Sequence, residues 1–187
     1  MAAVVMSETR CGWLSDAQLV PSPNFDARPD GVDIDLLVIH AISLPPAEFG
    51  GPYIEQLFTN RLVTDEHPCF ADIQQLRVSA HFLISRDGRL LQFVDIFARA
   101  WHAGESRWQG RTQCNDFSVG VELEGCDELP FEVAQYARLT SLLKDLFQRL
   151  PALNATRLVG HSDIAPTRKT DPGPHFDWAQ VREALSR

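Results

Sequence analysis

The stretch at 35–42, with the sequence DLLVIHAI, constrains the fold more than any other part of the chain. Its four consecutive apolar residues, at 36–39, are typical of a β-strand that is buried on both faces. His40 follows this run directly. A single histidine in such a place is usually a packed core residue with one hydrogen bond, but α/β proteins bind ligands at the carboxyl ends of central strands. We therefore predict a central strand here and treat His40 as a candidate site residue.

Other segments complete an α/β pattern. Alternation at 79–84, the turn RDGR at 86–89 and the apolar run that follows predict a β-hairpin. Apolar residues at helical spacing predict an amphipathic helix over 131–150, which Pro151 ends. TRLVG at 156–160 is predicted to be one more strand.

The length of 187 residues and an apolar fraction of 44% fit one domain with a sizeable core. We expect a single α/β domain over 1–187, with a central mixed β-sheet flanked by helices. Residues 1–30 are expected to form an irregular N-terminal arm over the core. The segment at 43–77 is long for a connection, as lids and binding walls often are, and we expect it to form a substrate wall.

The segment NDFSVGVELEG at 115–125 alternates like a strand. One face carries Phe117, Val119, Val121 and Leu123, and the other carries Ser118, Gly120, Glu122 and Glu124. A glycine two positions before Glu122 leaves room over the backbone for a substrate or a metal. The flanking apolar residues indicate that Glu122 is partly buried with a raised pKa, as a general base requires. Glu124 is expected to be exposed to solvent.

The segment at 160–178, GHSDIAPTRKTDPGPHFDW, carries the densest set of reactive side chains. His161 directly follows a predicted strand, and His40 follows the apolar run of another. Two buried strands that each lead into a histidine are much less expected by chance than one. His161 and Asp171 are residue types that zinc accepts, and the prolines of this segment would hold them in a fixed geometry. Asp171 alone is an ordinary turn residue beside proline. Asp177 is the better cap for the following helix, which leaves Asp171 free for a metal.

The composition disfavours some classes of partner. A formal net charge of -8 argues against nucleic acid and anionic membranes, which both favour basic proteins. The opening MAAVVM is too short for a membrane span and lacks the basic region of a signal peptide. The four cysteines form no CxxC pair: Cys11, Cys69, Cys114 and Cys126. This spacing favours reduced thiols in a cytoplasmic protein, and a catalytic cysteine is the less favoured alternative.

The segment RAWHAGESRWQGR at 99–111 has no regular period and mixes tryptophan, arginine and His102. Such a mixture suits the wall of a groove for a sugar or a peptide, because indole rings pack on sugars and guanidinium groups bind carboxylates. Trp101 itself is expected to anchor the segment in the core. In the preceding hairpin, His81 is expected near the open side of the sheet.

With these residues together, the sequence resembles the zinc-dependent N-acetylmuramyl-L-alanine amidases that share a fold with peptidoglycan recognition proteins and phage lysozyme-like amidases. Within that family it is most similar to the enzymes that cut 1,6-anhydromuropeptides in cell-wall recycling. The resemblance runs from about Trp13 to Trp178 and rests on five stretches: LLVIHAISLPPAEFGGP, VSAHFLISRDG, RAWHAG, CNDFSVGVELEG and IAPTRKTDPGPHFDW.

The resemblance implies one zinc ion per chain, held by His40, His161 and Asp171, with Glu122 as the catalytic carboxylate and Lys169 as a transition-state stabiliser. It also implies that Arg77 and the WHAG stretch, which contains His102, help to hold the muropeptide. We add His81 and Asn115 as further candidates for substrate binding. The sequence departs from the family at two positions. Ala41 stands where the family has asparagine, and Gln113 stands where it has arginine. Both departures concern substrate contacts and not the metal.

Two other functions remain open from the sequence. The chain could be a non-catalytic muropeptide-binding module, although such a module would be expected to lack a zinc ligand. It could also be a periplasmic amidase that acts on intact peptidoglycan, although no signal peptide is evident and the cysteines are unpaired. We expect a monomer whose partner is a small muropeptide.

Overall fold

The computed structural model describes residues 12–186. Its strands are β1 (Gln18–Leu19), β2 (Phe25–Asp26), β3 (Leu36–Ile42), β4 (Phe82–Ile84), β5 (Leu90–Gln92), β6 (Arg99–Ala100), β7 (Arg107–Trp108), β8 (Arg111–Thr112), β9 (Ser118–Glu124) and β10 (Leu158–Gly160). Its α-helices are α1 (Tyr53–Phe58), α2 (Phe70–Ile73), α3 (Val133–Arg149), α4 (His161–Ile164) and α5 (Trp178–Ser186). Short 3₁₀ turns lie at Thr64–Glu66, Cys114–Asp116 and Ala155–Arg157. The opening MAAVVM and Cys11 lie outside the described residues.

A six-stranded sheet organises the domain, in the order β1-β5-β4-β9-β3-β10. The pair β4 and β5 is antiparallel, and the other neighbours are parallel. The predicted mixed sheet, hairpin and single α/β domain are therefore confirmed. The central strands β3 and β9 pair along seven residues, from Leu36 opposite Ser118 to Ile42 opposite Glu124. This register decides which side chains of the two strands lie side by side.

The main hydrophobic core lies between one face of the sheet and helices α3 and α5. Alternate residues of the central strands supply that face, and five leucines and a tyrosine of α3 or its end cover it: Tyr136, Leu139, Leu142, Leu143, Leu146 and Leu150. Each fully buried leucine contributes about 1.5–3 kcal/mol relative to an exposed one. Val133, which the helical pattern places in the same stripe, is 79% exposed because it begins the helix at the solvent boundary.

Both long helices begin at a side-chain cap. Glu132 and Gln135 form a capping box at α3, in which Gln135 accepts a hydrogen bond from the backbone NH of Glu132. Asp177 accepts one from the NH of Gln180 at α5, as the sequence predicts. Asp171 is therefore not needed as a cap.

The described part of the N-terminal arm is less irregular than expected. Its residues Gln18 and Leu19 form β1 at the edge of the main sheet, and Phe25 and Asp26 pair with β6. The segment at 43–77 contains the short helices α1 and α2. These helices form a second core with β4, β5 and the chain around Val94.

Glu124 is not exposed as expected, since only 4% of its surface is accessible. Its Oε1 accepts a hydrogen bond from the NH of Gly50 at 2.6 Å, and its Oε2 accepts one from the NH of Arg86 at 3.0 Å. The carboxylate thus ties the segment at 43–77 to the hairpin turn. Because a strand pattern shows only which residues share a face, it does not reveal that loops cover this end of the face.

None of the helices in the described part of the chain has the length and apolar character needed to cross a membrane.

Candidate metal centre

Three predicted ligand side chains meet on the second face of the sheet. His40 lies inside β3, two residues before its end, and not at its tip as expected. His161 directly follows β10 as the first residue of α4, and Asp171 comes from the following loop. The Nδ1 atoms of the two histidines are 2.9 Å apart, and Oδ2 of Asp171 lies 3.3 Å from that of His40 and 3.1 Å from that of His161. These side chains form a group that can hold a metal ion.

The proton positions on His161 favour a metal over a simple hydrogen-bonded cluster. Its Nε2 lies 3.2 Å from the carbonyl oxygen of Ala103, which can only accept. Nε2 therefore carries the hydrogen, and the lone pair of Nδ1 in the neutral ring faces His40 and Asp171. Acceptor atoms this close repel one another unless a proton or a cation lies between them.

The geometry and chemistry of the donor set fit zinc. Two imidazole nitrogens and one carboxylate oxygen are typical zinc ligands, and ligand atoms around a tetrahedral zinc lie about 3.3–3.5 Å apart. The observed separations of 2.9–3.3 Å approach these values. Burial lowers the pKa of His40 to about 4, which keeps the ring neutral, as a metal ligand must be.

The loop that carries Asp171 is held by its own backbone. The NH of Ser162 donates to the carbonyl of Asp171 at 2.9 Å, which fixes this residue to the start of α4. The NH of Lys169 donates to the carbonyl of Ala165, also at 2.9 Å. Pro172 packs against Gly160, where an added Cβ would lie 2.8 Å from its ring. The close approach of the loop to the end of β10 therefore depends on this glycine.

Glu122 lies beside the metal-binding group. It is the register partner of His40 on β9, and it is 8% exposed. Its Oε2 is buried without a hydrogen-bond partner. Burial raises the pKa of Glu122 well above its usual value, the negative charge of Asp171 raises it further, and Lys169 lowers it. An unpartnered buried carboxyl group with a raised pKa is suited to accept and return a proton.

A cavity of ≈ 200 Å³ opens over these residues. Besides the three ligand residues and Glu122, it is lined by Lys169, Trp101, His102 and apolar side chains that include Ile42, Phe58, Leu76 and Val78. Trp101 is half-buried and lines the cavity, although the sequence predicts a core position for it. The sequence offered a signal for it only in the mixed character of the segment at 99–111.

Two residues predicted to bind substrate, His81 and Asn115, do not line the cavity. His81 is 0% exposed and not near an open side of the sheet. Its Nδ1 accepts from the NH of Gly120, and its Nε2 lies against Ala98 and Arg28, so it is part of the core. Asn115 is 8% exposed, and its Oδ1 accepts from the NH groups of His102 and Ala103 at 3.1 and 2.8 Å.

The other predicted substrate residues lie at the edge of the cavity or behind it. Arg77 is exposed next to the lining residues Leu76 and Val78, and its guanidinium donates to the carbonyls of Gln74 and Leu76. His102 lines the cavity, yet its ring lies over Gly120, where the sequence indicated room for a ligand. A Cβ at Gly120 would lie 2.4 Å from that ring.

Of the two positions that depart from the family pattern, Ala41 lines the cavity. Gln113 is exposed outside it, in a left-handed backbone conformation with φ 58°.

A comparison with known proteins identifies the family. A family model described as N-acetylmuramoyl-L-alanine amidase (Amidase_2) matches residues 30–174. The chain belongs to this amidase family. The match spans the central strands, the metal-binding group and the segment at 43–77. The sequence-based prediction of an N-acetylmuramoyl-L-alanine amidase is thereby confirmed.

Relatives within the amidase family are similar over nearly their whole length. The chain is 56% identical over 175 residues to the 1,6-anhydro-N-acetylmuramyl-L-alanine amidase AmpD of Citrobacter freundii, covering 94% of this chain and 93% of the relative. A crystal structure of a selenomethionine AmpD derivative superposes with a TM-score of 0.90 at 55% identity, covering 93% of this chain and 97% of that one.

A more distant member of the amidase family has been solved with a ligand. The amidase AmiD of E. coli, in complex with the substrate anhydro-N-acetylmuramic acid-L-Ala-D-γ-Glu-L-Lys, superposes with a TM-score of 0.62 at 32% identity. The alignment covers 84% of this chain but 60% of AmiD. These structures confirm the predicted fold.

Proposed function

We propose that this chain uses one bound zinc ion to hydrolyse the amide bond between the lactyl group of 1,6-anhydro-N-acetylmuramic acid and L-alanine. The observation that carries the proposal is the convergence of two histidine nitrogens and a carboxylate oxygen beside the buried, unpartnered Glu122. The substrate class is supported by the similarity to AmpD and by the ligand in the AmiD complex.

The zinc would be held by His40, His161 and Asp171, and a fourth position would face the cavity. Three protein ligands with an open position are the arrangement of catalytic zinc sites. A zinc ion in such a site lowers the pKa of a water molecule to about 7 and polarises a carbonyl group. The proton transfers and the stabilisation of the developing negative charge would be carried out by the side chains around the zinc.

Glu122 would be the general base and then the general acid. Its raised pKa follows from burial and from the charge of Asp171, so the carboxyl group can hold a proton during the reaction. Oε2 is free to take that proton from the attacking water, because no protein group bonds to it. The same atom would then return the proton to the departing amine of L-alanine.

Lys169 would stabilise the negative charge that develops on the scissile carbonyl oxygen. It lines the cavity on the loop between His161 and Asp171, where its ammonium group can approach that oxygen. Trp101 and the apolar lining would contact the sugar ring. A cavity of ≈ 200 Å³ is too small for a whole muropeptide, so the peptide stem would extend past the exposed Arg77.

We further propose that the chain works in the cytoplasm on recycled fragments. The three described cysteines are free, which supports a reducing compartment. The alternative of a non-catalytic binding module is disfavoured by the presence of Glu122 beside a complete ligand set.

The test is to incubate the purified protein with an anhydromuramyl tripeptide and follow the products by mass spectrometry. The expected products are anhydro-N-acetylmuramic acid and the free tripeptide, formed by the wild type and not after zinc removal, with activity restored by zinc. Tight binding of the intact ligand without cleavage by zinc-loaded protein would instead support the binding module.

A further inference from the structure

The segment between β6 and β7 lies behind both histidine ligands. Nδ1 of His102 is 2.9 Å from Nε2 of His40, and the carbonyl oxygen of Ala103 is 3.2 Å from Nε2 of His161. Each histidine thus has one nitrogen toward the metal-binding group and the other toward this segment. Two successive residues therefore contact both ligands from the side away from Asp171.

The proton positions in this network can be followed from Ser118. Its hydroxyl donates to the carbonyl of Cys114 at 2.6 Å, and a hydroxyl has only one hydrogen to give. Toward Nε2 of His102, at 3.1 Å, the oxygen of Ser118 can therefore only accept. Nε2 of His102 carries a hydrogen, and in the neutral ring Nδ1 is left as an acceptor.

The same reasoning then fixes His40. Since Nδ1 of His102 accepts, the hydrogen between the two rings belongs to Nε2 of His40. Nδ1 of His40 consequently has a free lone pair, directed at His161 and Asp171. This is the tautomer that a metal ion requires from a ligand that binds through Nδ1.

The position of His102 is itself fixed on two sides. Asn115 accepts hydrogen bonds from the backbone NH groups of His102 and Ala103 through a single oxygen atom. The imidazole ring of His102 lies on Gly120, the one residue type without a Cβ to displace it. Ser118 is 0% and His102 9% exposed, so water does not compete effectively for these bonds.

We propose that His102 is a positioning residue for the metal: together with Ser118 it holds His40 in the tautomer that presents Nδ1, while Asn115 holds the backbone of the segment. This inference rests on the zinc site proposed above. It gives His102 and Asn115 a role behind the ligands instead of the substrate contact expected from sequence. Partners of this kind raise metal affinity because the ligand is oriented before the metal arrives.

The test compares His102→Leu with His102→Asn. Leucine and asparagine have the same number and branching of side-chain heavy atoms, but only asparagine has an acceptor oxygen where Nδ1 of the imidazole lies. Zinc affinity would be measured at one pH by competition with a chromophoric chelator. The dissociation constant is expected to rise by about 10–100-fold in His102→Leu and to change much less in His102→Asn. Equal losses in both variants, or no loss in the leucine variant, would overturn the proposal.

A second readout does not depend on zinc. In metal-free protein, ¹⁵N NMR of the imidazole groups is expected to show His40 with its hydrogen on Nε2 in the wild type and in His102→Asn. In His102→Leu it should show a mixture of tautomers. A fixed His40 in the leucine variant contradicts the positioning role. If the wild type shows the expected tautomer and yet binds no zinc, the proposed function fails and the proton assignment stands.

Ser118→Ala provides the test if His102→Leu does not fold. This variant leaves the His102 ring in place and removes the oxygen atom that fixes its tautomer. A mixed tautomer at His40 and weaker zinc binding are expected. An unchanged His40 signal together with unchanged zinc affinity would overturn the proposal.

Discussion

Glu122 lies directly opposite His40 in the parallel register of β9 and β3. Paired residues on neighbouring strands point to the same face, so the backbone alone places the buried carboxyl group beside the histidine. The sheet therefore fixes the distance between the proposed base and the proposed metal site. Lys169 and Asp171, in contrast, lie on a loop. Substitutions in the sheet and in this loop should therefore differ in their effects on zinc content and turnover.

Removal of a proposed ligand should release the metal. The wild type is expected to contain about one zinc per chain, because three side chains complete a catalytic set. Asp171→Ala should lose most of it and loosen the loop after α4. Elemental analysis after dialysis measures the zinc content of the wild type and of Asp171→Ala. Asp72→Ala, which changes an exposed carboxylate, is the control and should keep its zinc. Zinc-free wild type that remains active in chelator would exclude the proposed mechanism.

Removal of the proposed base should stop turnover without releasing the metal. Glu122→Gln keeps the volume of the side chain and removes the proton acceptor, so kcat should fall by about 10²–10⁴-fold. Zinc content and melting temperature should stay near those of the wild type. Loss of zinc from this variant, with retention in Asp171→Ala, would show that the two carboxylates have exchanged roles.

Lys169→Ala should also retain zinc. If its ammonium group stabilises the developing oxyanion, kcat should fall by about 10²–10³-fold while KM changes little. The other lysine of the chain, Lys144, is exposed on α3 and serves as the control. A change in KM alone would assign Lys169 to substrate binding.

Small anhydromuropeptides should be cut far faster than intact cell-wall sacculi. The cavity is small, at ≈ 200 Å³, and the segment at 43–77 contributes Phe58 and Leu76 to its lining, so an extended polymer has restricted access. Product release from both substrates is compared by mass spectrometry at equal enzyme concentration. Comparable rates would favour an amidase that acts on whole peptidoglycan.

Glu124 should contribute to stability and not to chemistry. Glu124→Ala leaves the NH groups of Gly50 and Arg86 without their acceptor, and the free energy of unfolding should fall by about 1–3 kcal/mol. Denaturant unfolding checks this, with the exposed Glu128→Ala as a control. An equal effect in the two variants would show that the observed hydrogen bonds do not stabilise the fold.

Local patterns in the sequence predicted most of the elements. The apolar run at 36–39 predicted β3, the Asp-Gly turn predicted the hairpin of β4 and β5, and helical spacing predicted α3 to within two residues of its observed start. Each of these features depends on neighbours along the chain, because hydrophobic periodicity and turn chemistry act over a few residues. The zinc ligand set came from the family resemblance, and the structure brings its three members together.

The environment of individual polar residues was decided by the tertiary structure alone. Alternation placed Ser118, Glu122 and Glu124 on one face, and the flanking apolar residues predicted the burial of Glu122, but neither pattern showed that Ser118 and Glu124 are buried as well. Nor could these patterns show that His40 is paired with Glu122, that His102 fills the space over Gly120, or that His81 is enclosed in the core. These relationships join residues that are distant in the sequence, and they follow from strand register and from what packs across the sheet, which no local pattern specifies.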